Sequence, residues 1–227
     1  TVYQKVLAFA NKEQRGYITP QEFNLFADHA QKEIFEQYFY DLNQSIRVSG
    51  NSEEYSDMIH NLNEKIAIFE ATGTISSGVL LGGDMYRLGT VIANGKTIVE
   101  EVQQDDILEM NMSYLTKPTI HRPVYVRTGK NLIQHYPIYE SNGVTAWGWT
   151  GTYTYVKKPS KPSWGYVVVN GKAMYNPSNK IDFQLHPSEE TELIYKILKF
   201  AGLAMRRDDI AKGGQMLESL QTQQEKQ

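Results

Sequence analysis

Hydrophobic residues recur at the spacing of an α-helix at the amino-terminal end of the chain, over residues 1–70. Three segments repeat every three or four positions: Val2, Val6, Phe9 and Ala10; Phe23, Phe26, Ala30, Ile34, Tyr38 and Leu42; and Tyr55, Ile59, Leu62, Ile66 and Phe69. This pattern predicts three amphipathic helices, with Asn51 or Ser52 capping the third. Each helix has an apolar stripe that needs another surface to cover it.

Beyond "EATGTISSG" the pattern changes to turns and to alternation of hydrophobic and polar residues. Asn94-Gly95 and Asn170-Gly171 each separate two β-prone runs, which predicts two hairpins. A third strand pair is expected to turn near Gly129, and "TAWGWTGTYTYVKKP" to form a long strand. One short helix is expected at "DDILEMNMSYL". We therefore predict a twisted antiparallel sheet between Gly73 and Leu185.

Helical spacing returns near the carboxyl end. Ser188 is expected to cap a helix that ends in a Schellman motif at Gly202 and Leu203. The last segment, residues 206–227, is mostly polar, so we expect it to be marginal or disordered on its own and to become ordered only against a neighbouring subunit or an adjoining ring. Its apolar residues, which are the candidate subunit-docking positions, are Ile210, Met216, Leu217 and Leu220.

Together these patterns predict an α+β protein, in which helices from both ends of the chain form a bundle around an inserted β-rich region. The expected parts are 1–70 for the amino-terminal helices, 71–187 for the antiparallel insertion, and 188–227 for the carboxyl-terminal helices and tail. Residues 1–70 and 188–204 are expected to form one helical layer.

The loop from Asn11 to Glu22 has the frame of a calcium-binding EF-hand, with Gly16 at the sixth position and Glu22 at the twelfth. However, the fifth position is Arg15, a cation where calcium needs an oxygen ligand. The same residues are explained without an ion, because Thr19 and Glu22 form a capping box. Pro20 lies between them and is favoured in the first turn of a helix. We predict a helix start there and no metal site.

Composition narrows the functional classes. The chain has 227 residues, 41% of them hydrophobic, which is enough for a core, and no apolar run or leader that would indicate a membrane segment or export. It has no cysteine, which excludes disulfides and cysteine-ligated zinc and favours synthesis in a reducing cytoplasm. The net charge of −3 argues against general nucleic-acid binding. The helical ends are acidic and the middle mildly basic, which could orient neighbouring copies or simply reflect solvated faces.

No catalytic pattern stands out. The five histidines, His29, His60, His121, His135 and His186, lie in no catalytic or zinc motif, and no phosphate-binding loop is present. The adjacent acidic pairs, Asp105-Asp106, Glu100-Glu101 and Glu189-Glu190, do not place two carboxylates on one face. We therefore predict no enzyme activity, cofactor or metal. Trp147 and Trp149 share one face of a strand and could stack on a sugar or a base, although packing in a sheet is the simpler interpretation.

Three stretches, "ANKEQRGYITPQEFNLFADHAQKEIFEQYF", "YTYVKKPSKPSWGY" and "FQLHPSEETELIYKILKFAGLAMRRDDIAKGGQ", resemble head-to-tail connector proteins of tailed bacteriophages, especially the neck rings of crAss-like and other short-tailed phages. The resemblance covers most of the chain and rests on the order of segments. It implies a structural virion protein that forms a homo-oligomeric adaptor ring, a dodecameric collar beneath the portal protein. It further implies contacts with adjacent neck or tail proteins, DNA passing through without sequence-specific binding, and no cofactor or active site.

Two alternatives remain open at this point. One is a different phage structural role, such as a tail terminator or minor capsid protein. The other is a carbohydrate-binding module that uses Trp147 and Trp149.

The first prediction concerns the loop from Asn11 to Glu22. Calorimetric titration of the protein with calcium is expected to show no saturable heat, because Arg15 occupies a position where the ion needs an oxygen. Saturable binding that disappears in Glu22→Gln would contradict this.

Overall fold

The protein is described by a computed structural model over residues 2–10, 18–48, 53–76, 82–129, 131–139, 150–204 and 208–225. Its helices are α1 (Val2–Ala10), α2 (Pro20–Val48), α3 (Glu53–Ala67), α4 (Gln104–Met112), α5 (Glu190–Ala204) and α6 (Asp208–Glu225). Its strands are β1 (Glu70–Ser76), β2 (Met85–Ala93), β3 (Thr97–Glu101), β4 (Val124–Arg127), β5 (Ile133–Tyr136), β6 (Thr150–Lys157), β7 (Tyr166–Val169) and β8 (Lys172–Tyr175). The fold is α+β with a β-rich region, as predicted.

The chain divides into two compact units. The helical unit contains Thr1–Ile68 and Pro159–Gln227, and the sheet unit is the continuous stretch Phe69–Lys158 between them. The predicted insertion extended to residue 187, whereas the sheet unit ends at Lys158. The chain after Lys158 belongs to the helical unit, because polar side chains of α2 form hydrogen bonds to it.

The start of α2 follows the predicted capping box. The Thr19 amide and hydroxyl both donate to Glu22 Oε2, at 2.9 and 2.7 Å, and the Glu22 amide donates back to Thr19 Oγ1 at 3.3 Å. These hydrogen bonds from Thr19 lower the pKa of Glu22. Most of the preceding loop, residues 11–17, lies outside the described residues, and so does the predicted cap of α3.

The helical unit has its core where the predicted apolar stripes meet. Side chains of α1, α2, α3 and α5 are buried there, among them Val6, Phe23, Ala30, Ile34, Leu62, Ile66, Leu193 and Ile197. The buried Glu189 accepts an ion-paired hydrogen bond from Lys65 of α3 at 2.6 Å, which ties α3 to the start of α5.

Both predicted ends of the last core helix are corrected. Ser188 does not cap it, because Ser188 lies in a short 3₁₀ turn that is capped by His186, whose Nδ1 accepts from the Ser188 amide at 3.3 Å. The α-helix starts at Glu190 and passes through Gly202 to Ala204, so the predicted Schellman stop at Gly202 is wrong. Gly202 is buried in the helix. A glycine can serve close packing as well as helix termination.

Two amides on α2 hold the chain after residue 158. The Gln31 amide nitrogen donates to the Ser160 carbonyl at 2.8 Å, and its oxygen accepts from the Gln184 amide at 3.0 Å. Two turns earlier on the same helix, Asn24 Oδ1 accepts from the Trp164 amide at 2.7 Å. The segment that carries β7 and β8 is therefore anchored to α2 at both ends.

The sheet unit contains six strands in the order β1-β6-β2-β3-β4-β5. Neighbours are antiparallel except β3 and β4, which run parallel. The predicted wholly antiparallel region is therefore wrong at this pair. The physical reason is the long connection through α4, since a parallel pair needs a crossover of a dozen or more residues, usually a helix. Across the pair, the Tyr125 hydroxyl donates to Glu101 Oε2 at 3.0 Å.

The predicted turns are present. Asn94, Gly95, Asn170 and Gly171 all have positive φ, and Asn170-Gly171 forms a two-residue turn between β7 and β8. The predicted pair near Gly129 is β4 with β5. The predicted long strand is observed as β6, although residues 140–149 before it lie outside the described residues.

A close approach between Gly73 and Tyr153 shapes the edge of the sheet. The two residues are directly opposite on β1 and β6, and the buried Tyr153 aromatic ring lies over Gly73. The Tyr153 hydroxyl also accepts a hydrogen bond from the Gly82 amide at 2.9 Å. A methyl group at position 73 would overlap this aromatic ring, so only glycine leaves the tyrosine in place.

We expect Gly73→Ala to lower the free energy of unfolding by about 1–3 kcal/mol, because the Tyr153 ring would have to move inside a packed core. The matched control is Gly83→Ala, whose added methyl would meet nothing within 4 Å. Urea unfolding of both variants measures the difference. Equal stabilities for the two variants would contradict the close approach.

Candidate interaction surfaces

Helix α6 packs along α5 of the same chain. Gly214 is buried in this contact, and an added Cβ there would lie 3.1 Å from the backbone nitrogen of Lys199. The absence of a side chain at Gly214 thus lets the two helices come close. The sequence predicts a packing surface for this carboxyl-terminal segment only on a neighbouring subunit or an adjoining ring. The structure instead supplies one on α5, and the glycine that weakens the isolated helix is what makes the contact possible.

A cluster of charged residues joins three helices beside this contact. The buried ammonium of Lys196 lies 2.6 Å from Glu218 of α6 and 3.0 Å from Glu33 of α2. Glu192 on its own helix is 3.5 Å away. Lys199 contacts the second oxygen of Glu218 at 3.0 Å. The cluster links α2, α5 and α6 with ion pairs between residues far apart in sequence.

The charges of the cluster stabilise one another. Burial by itself would raise the pKa of Glu218, but hydrogen bonds from Lys196 and Lys199 outweigh it and bring that pKa below its ordinary value. Burial likewise opposes the charge of Lys196, yet hydrogen bonds to Glu218 and Glu33 leave the Lys196 pKa raised. Both groups are therefore charged at neutral pH, and their attraction holds α6 in place.

The predicted docking residues of α6 lie on its outer side where they are described. Met216, Leu217 and Leu220 are exposed, and Met216 and Leu220 are one helical turn apart. The side chain of Ile210 lies outside the described residues. The structure therefore groups three of the four predicted residues on a surface that the described part of the chain leaves uncovered.

The α4 patch, defined here as Leu108, Met112, Tyr114 and Leu115, is the most exposed apolar group in the described part of the sheet unit. These side chains are 61%, 88%, 97% and 91% exposed. On the opposite side of α4, Ile107 packs with Val124 and Val126 of β4. Helix α4 thus has two apolar faces, and the sheet covers only one of them.

The β7–β8 hairpin of the helical unit carries a second apolar surface. Paired residues in an antiparallel ladder project to the same face, so Val167 with Met174 and Val169 with Lys172 share one side. All four of these residues, which we call the hairpin face, are exposed. Among the described residues, β7 and β8 pair with each other alone. The hairpin face is therefore a small apolar surface with a lysine at one end.

Aromatic packing supports the opposite side of the hairpin. Trp164 lies between Tyr3 of α1, at 4.3 Å between ring centroids, and Tyr166 of β7, at 6.1 Å. Tyr3 and Trp164 border a cleft of about 320 Å³ in the helical unit. Polar groups that could orient a ligand there are already engaged, since Asn24 bonds to Trp164 and Lys180 pairs with Asp182 at 2.9 Å. We assign the cleft a structural role.

The structure brings no catalytic set together from the residues considered in the sequence. Glu189 is engaged by Lys65, Glu101 by Tyr125, and Glu100 lies 3.7 Å from Arg122. Asp105 and Asp106 are exposed on α4. Among the described residues, no group of three or more His, Asp or Glu could hold a metal ion. Trp147 and Trp149, on which the carbohydrate-binding alternative depends, lie outside the described residues.

The α4 patch and the hairpin face were missed in the sequence, although both left a signal. In "DDILEMNMSYL" the apolar residues are spread over more of the helix circumference than a single apolar stripe would occupy. In "YVVVNGKAMY" the run of three valines places apolar groups on both faces of a strand, which a two-stranded hairpin cannot bury by itself.

Comparison of the chain with known protein families finds no family that matches, and comparison with curated proteins finds no match either. None of the helices in the described residues combines the length and the apolarity that crossing a membrane requires.

We expect Glu218→Gln to lower the free energy of unfolding by about 1–3 kcal/mol at pH 7. The reason is that a neutral amide forms weaker hydrogen bonds to the two lysines than the carboxylate does. The pKa of Glu218 in the folded protein lies below its ordinary value of 4.5. The contribution of Glu218 to the free energy of unfolding is therefore complete above pH 4.5, and it is lost as the pH falls through the folded pKa. The difference between the two proteins should therefore shrink below pH 4.5. Urea unfolding at several pH values measures this.

The control for this experiment is Glu190→Gln. Glu190 forms an exposed ion pair with Lys5, so its loss should change the free energy of unfolding by less than about 1 kcal/mol. A difference between wild type and Glu218→Gln that is independent of pH would contradict the role assigned to the cluster.

Proposed function

We propose that this chain is a structural virion protein, the subunit of a ring-forming head-to-tail adaptor in the neck of a short-tailed bacteriophage. In this role it links the portal protein to the tail and lines the DNA passage. The structural observation that supports the proposal is the pair of exposed apolar surfaces, the α4 patch and the hairpin face, which lie on different elements and differ in form. The resemblance of the chain to phage connectors supplies the biological setting.

The exposure of the α4 patch is unfavourable for a protein that stays monomeric. Full burial of a Leu or Met side chain contributes about 1.5–3 kcal/mol, and Leu108, Met112 and Leu115 are all exposed. Exposed apolar groups of this kind mark interaction sites in soluble proteins. A subunit of a larger assembly would bury them against its neighbours.

Two unlike surfaces also suit a ring better than a simple dimer. A two-fold dimer uses the same surface on both copies, whereas a closed ring uses one surface of each copy against a different surface of the next. The α4 patch and the hairpin face could supply such a pair. Met216, Leu217 and Leu220 on α6 would then remain for an adjoining ring of the neck.

The charge of the chain suits the passage of DNA. A protein that gripped DNA would present clustered Lys and Arg to its phosphates, but the net charge here is −3. A ring without a strongly basic lining would let DNA slide through. Each contact would be repeated around the ring, so contacts that are weak individually become strong together.

The test is assembly of the purified chain. We expect closed rings at micromolar concentration in negative-stain images, with a matching mass by mass photometry. The variant Leu108→Ser with Leu115→Ser should be mainly monomeric, because it removes apolar area that association buries. The control is Leu25→Ser on α2, which is 60% exposed, much like Leu108 at 61%, and should still assemble.

A chain that stays monomeric under all conditions would overturn the ring proposal. Rings that form in solution but are missing from the neck, when virions are labelled with gold-conjugated antibodies to this chain, would favour another structural role in the particle.

A further inference from the structure

We propose that the α4 patch of one copy binds the hairpin face of the next copy around the ring. This inference rests on the proposed function, since it names the two surfaces through which the subunits meet. It commits to a second copy of this chain as the occupant of both surfaces. Three features of the surfaces support this contact: their apolar groups, the charges beside them, and the poor fit of each surface to itself.

The apolar parts of the two surfaces are suited to each other. Leu108 and Met112 are four residues apart on α4, so they project from one helical face as a ridge. Val167 and Met174 are opposite each other on the hairpin, with Val169 two residues along β7. A helical ridge packing against two exposed strands is a common way to cover one face of a β-hairpin.

The charges beside these groups have opposite signs. Helix α4 carries Asp105, Asp106 and Glu109 and no basic residue, while β7, β8 and their turn carry Lys172 and no acidic residue. Asp105 lies three residues before Leu108 and seven before Met112, on the same face of the helix. Lys172 shares its face with Val167 and Met174. Neither Asp105 nor Lys172 has an ion-pair partner in the described part of the chain.

Self-pairing of either surface is disfavoured by the same charges. Two α4 patches placed face to face would bring two copies of Asp105 together, with Glu109 at the side of each. Two hairpin faces would bring two copies of Lys172 together. Like charges across an interface act against the wrong partner, so the opposite-charge arrangement is selected. The contact is therefore between unlike surfaces, which is the kind that continues from copy to copy.

Disulfide trapping tests this contact directly, because the chain has no cysteine of its own. We introduce Leu115→Cys in the α4 patch and Val169→Cys in the hairpin face, in one chain, and oxidise the assembled protein. A contact between unlike surfaces should give a ladder of covalent oligomers on non-reducing gels. A mixture of the two single-cysteine proteins should stop at covalent dimers.

Controls separate this contact from random collision. Leu25→Cys combined with Val169→Cys should give no ladder, because Leu25 is also an exposed leucine but belongs to neither surface. Efficient dimers from Leu115→Cys alone or from Val169→Cys alone would show a symmetric contact and overturn the proposal. Assemblies that form normally while the Leu115→Cys/Val169→Cys protein gives no ladder would overturn the contact but leave the ring function standing. A chain that never assembles would overturn both.

A charge exchange gives a second, independent measurement. Asp105→Lys should weaken assembly about tenfold, because it places a cation near Lys172 of the neighbouring copy. Adding Lys172→Asp to the same chain should restore assembly by re-forming an opposite-charge pair. Failure of the double variant to assemble better than Asp105→Lys alone, with both folded by circular dichroism, would overturn the contact.

Discussion

The buried amide of Gln31 is the constraint on which the arrangement of the helical unit depends. This side chain is fully buried on α2, and an amide in that position destabilises the fold by about 1–3 kcal/mol unless it is hydrogen-bonded. Its partners are the backbone at Ser160 and Gln184, one on each side of the hairpin segment. Satisfying Gln31 therefore brings both ends of that segment to α2, with the hairpin in the chain between the two attachment points. The hairpin face itself is exposed.

Buried charges set the pairing of the helices in a similar way. Lys65 with Glu189 joins α3 to the start of α5, and Lys196 with Glu33 and Glu218 joins α2, α5 and α6. Such pairs add little net stability over well-packed apolar residues, because desolvating the charges opposes their attraction. Breaking one leaves an uncompensated charge in the interior. Their main effect is that a helix shifted by one turn would lose its partner, so they favour a single register.

The elements that could be predicted are those determined by neighbours in sequence. The capping box at Thr19 and Glu22 and the turn at Asn170-Gly171 each lie within a few residues, and the structure confirms both. Two local signals failed, the cap at Ser188 and the helix stop at Gly202, and the remaining errors concern long-range partners. The parallel pair of β3 and β4 depends on how α4 crosses the sheet, and the docking of α6 depends on a glycine at 214 meeting Lys199. The α4 patch could have been noticed as a second apolar face, but that it stays uncovered is known only once the sheet has been placed.

The contact between Gly73 and Tyr153 has an evolutionary consequence. Because β1 is an edge strand and the aromatic ring covers its glycine, the pair compensates for the missing side chain in the way that aromatic residues rescue edge glycines in other sheets. A side chain gained at position 73 has room only if position 153 becomes smaller, and a smaller residue at 153 by itself leaves the glycine uncovered. The two positions can therefore change together more easily than separately. Substitutions at position 73 should accordingly be accompanied by substitutions at position 153.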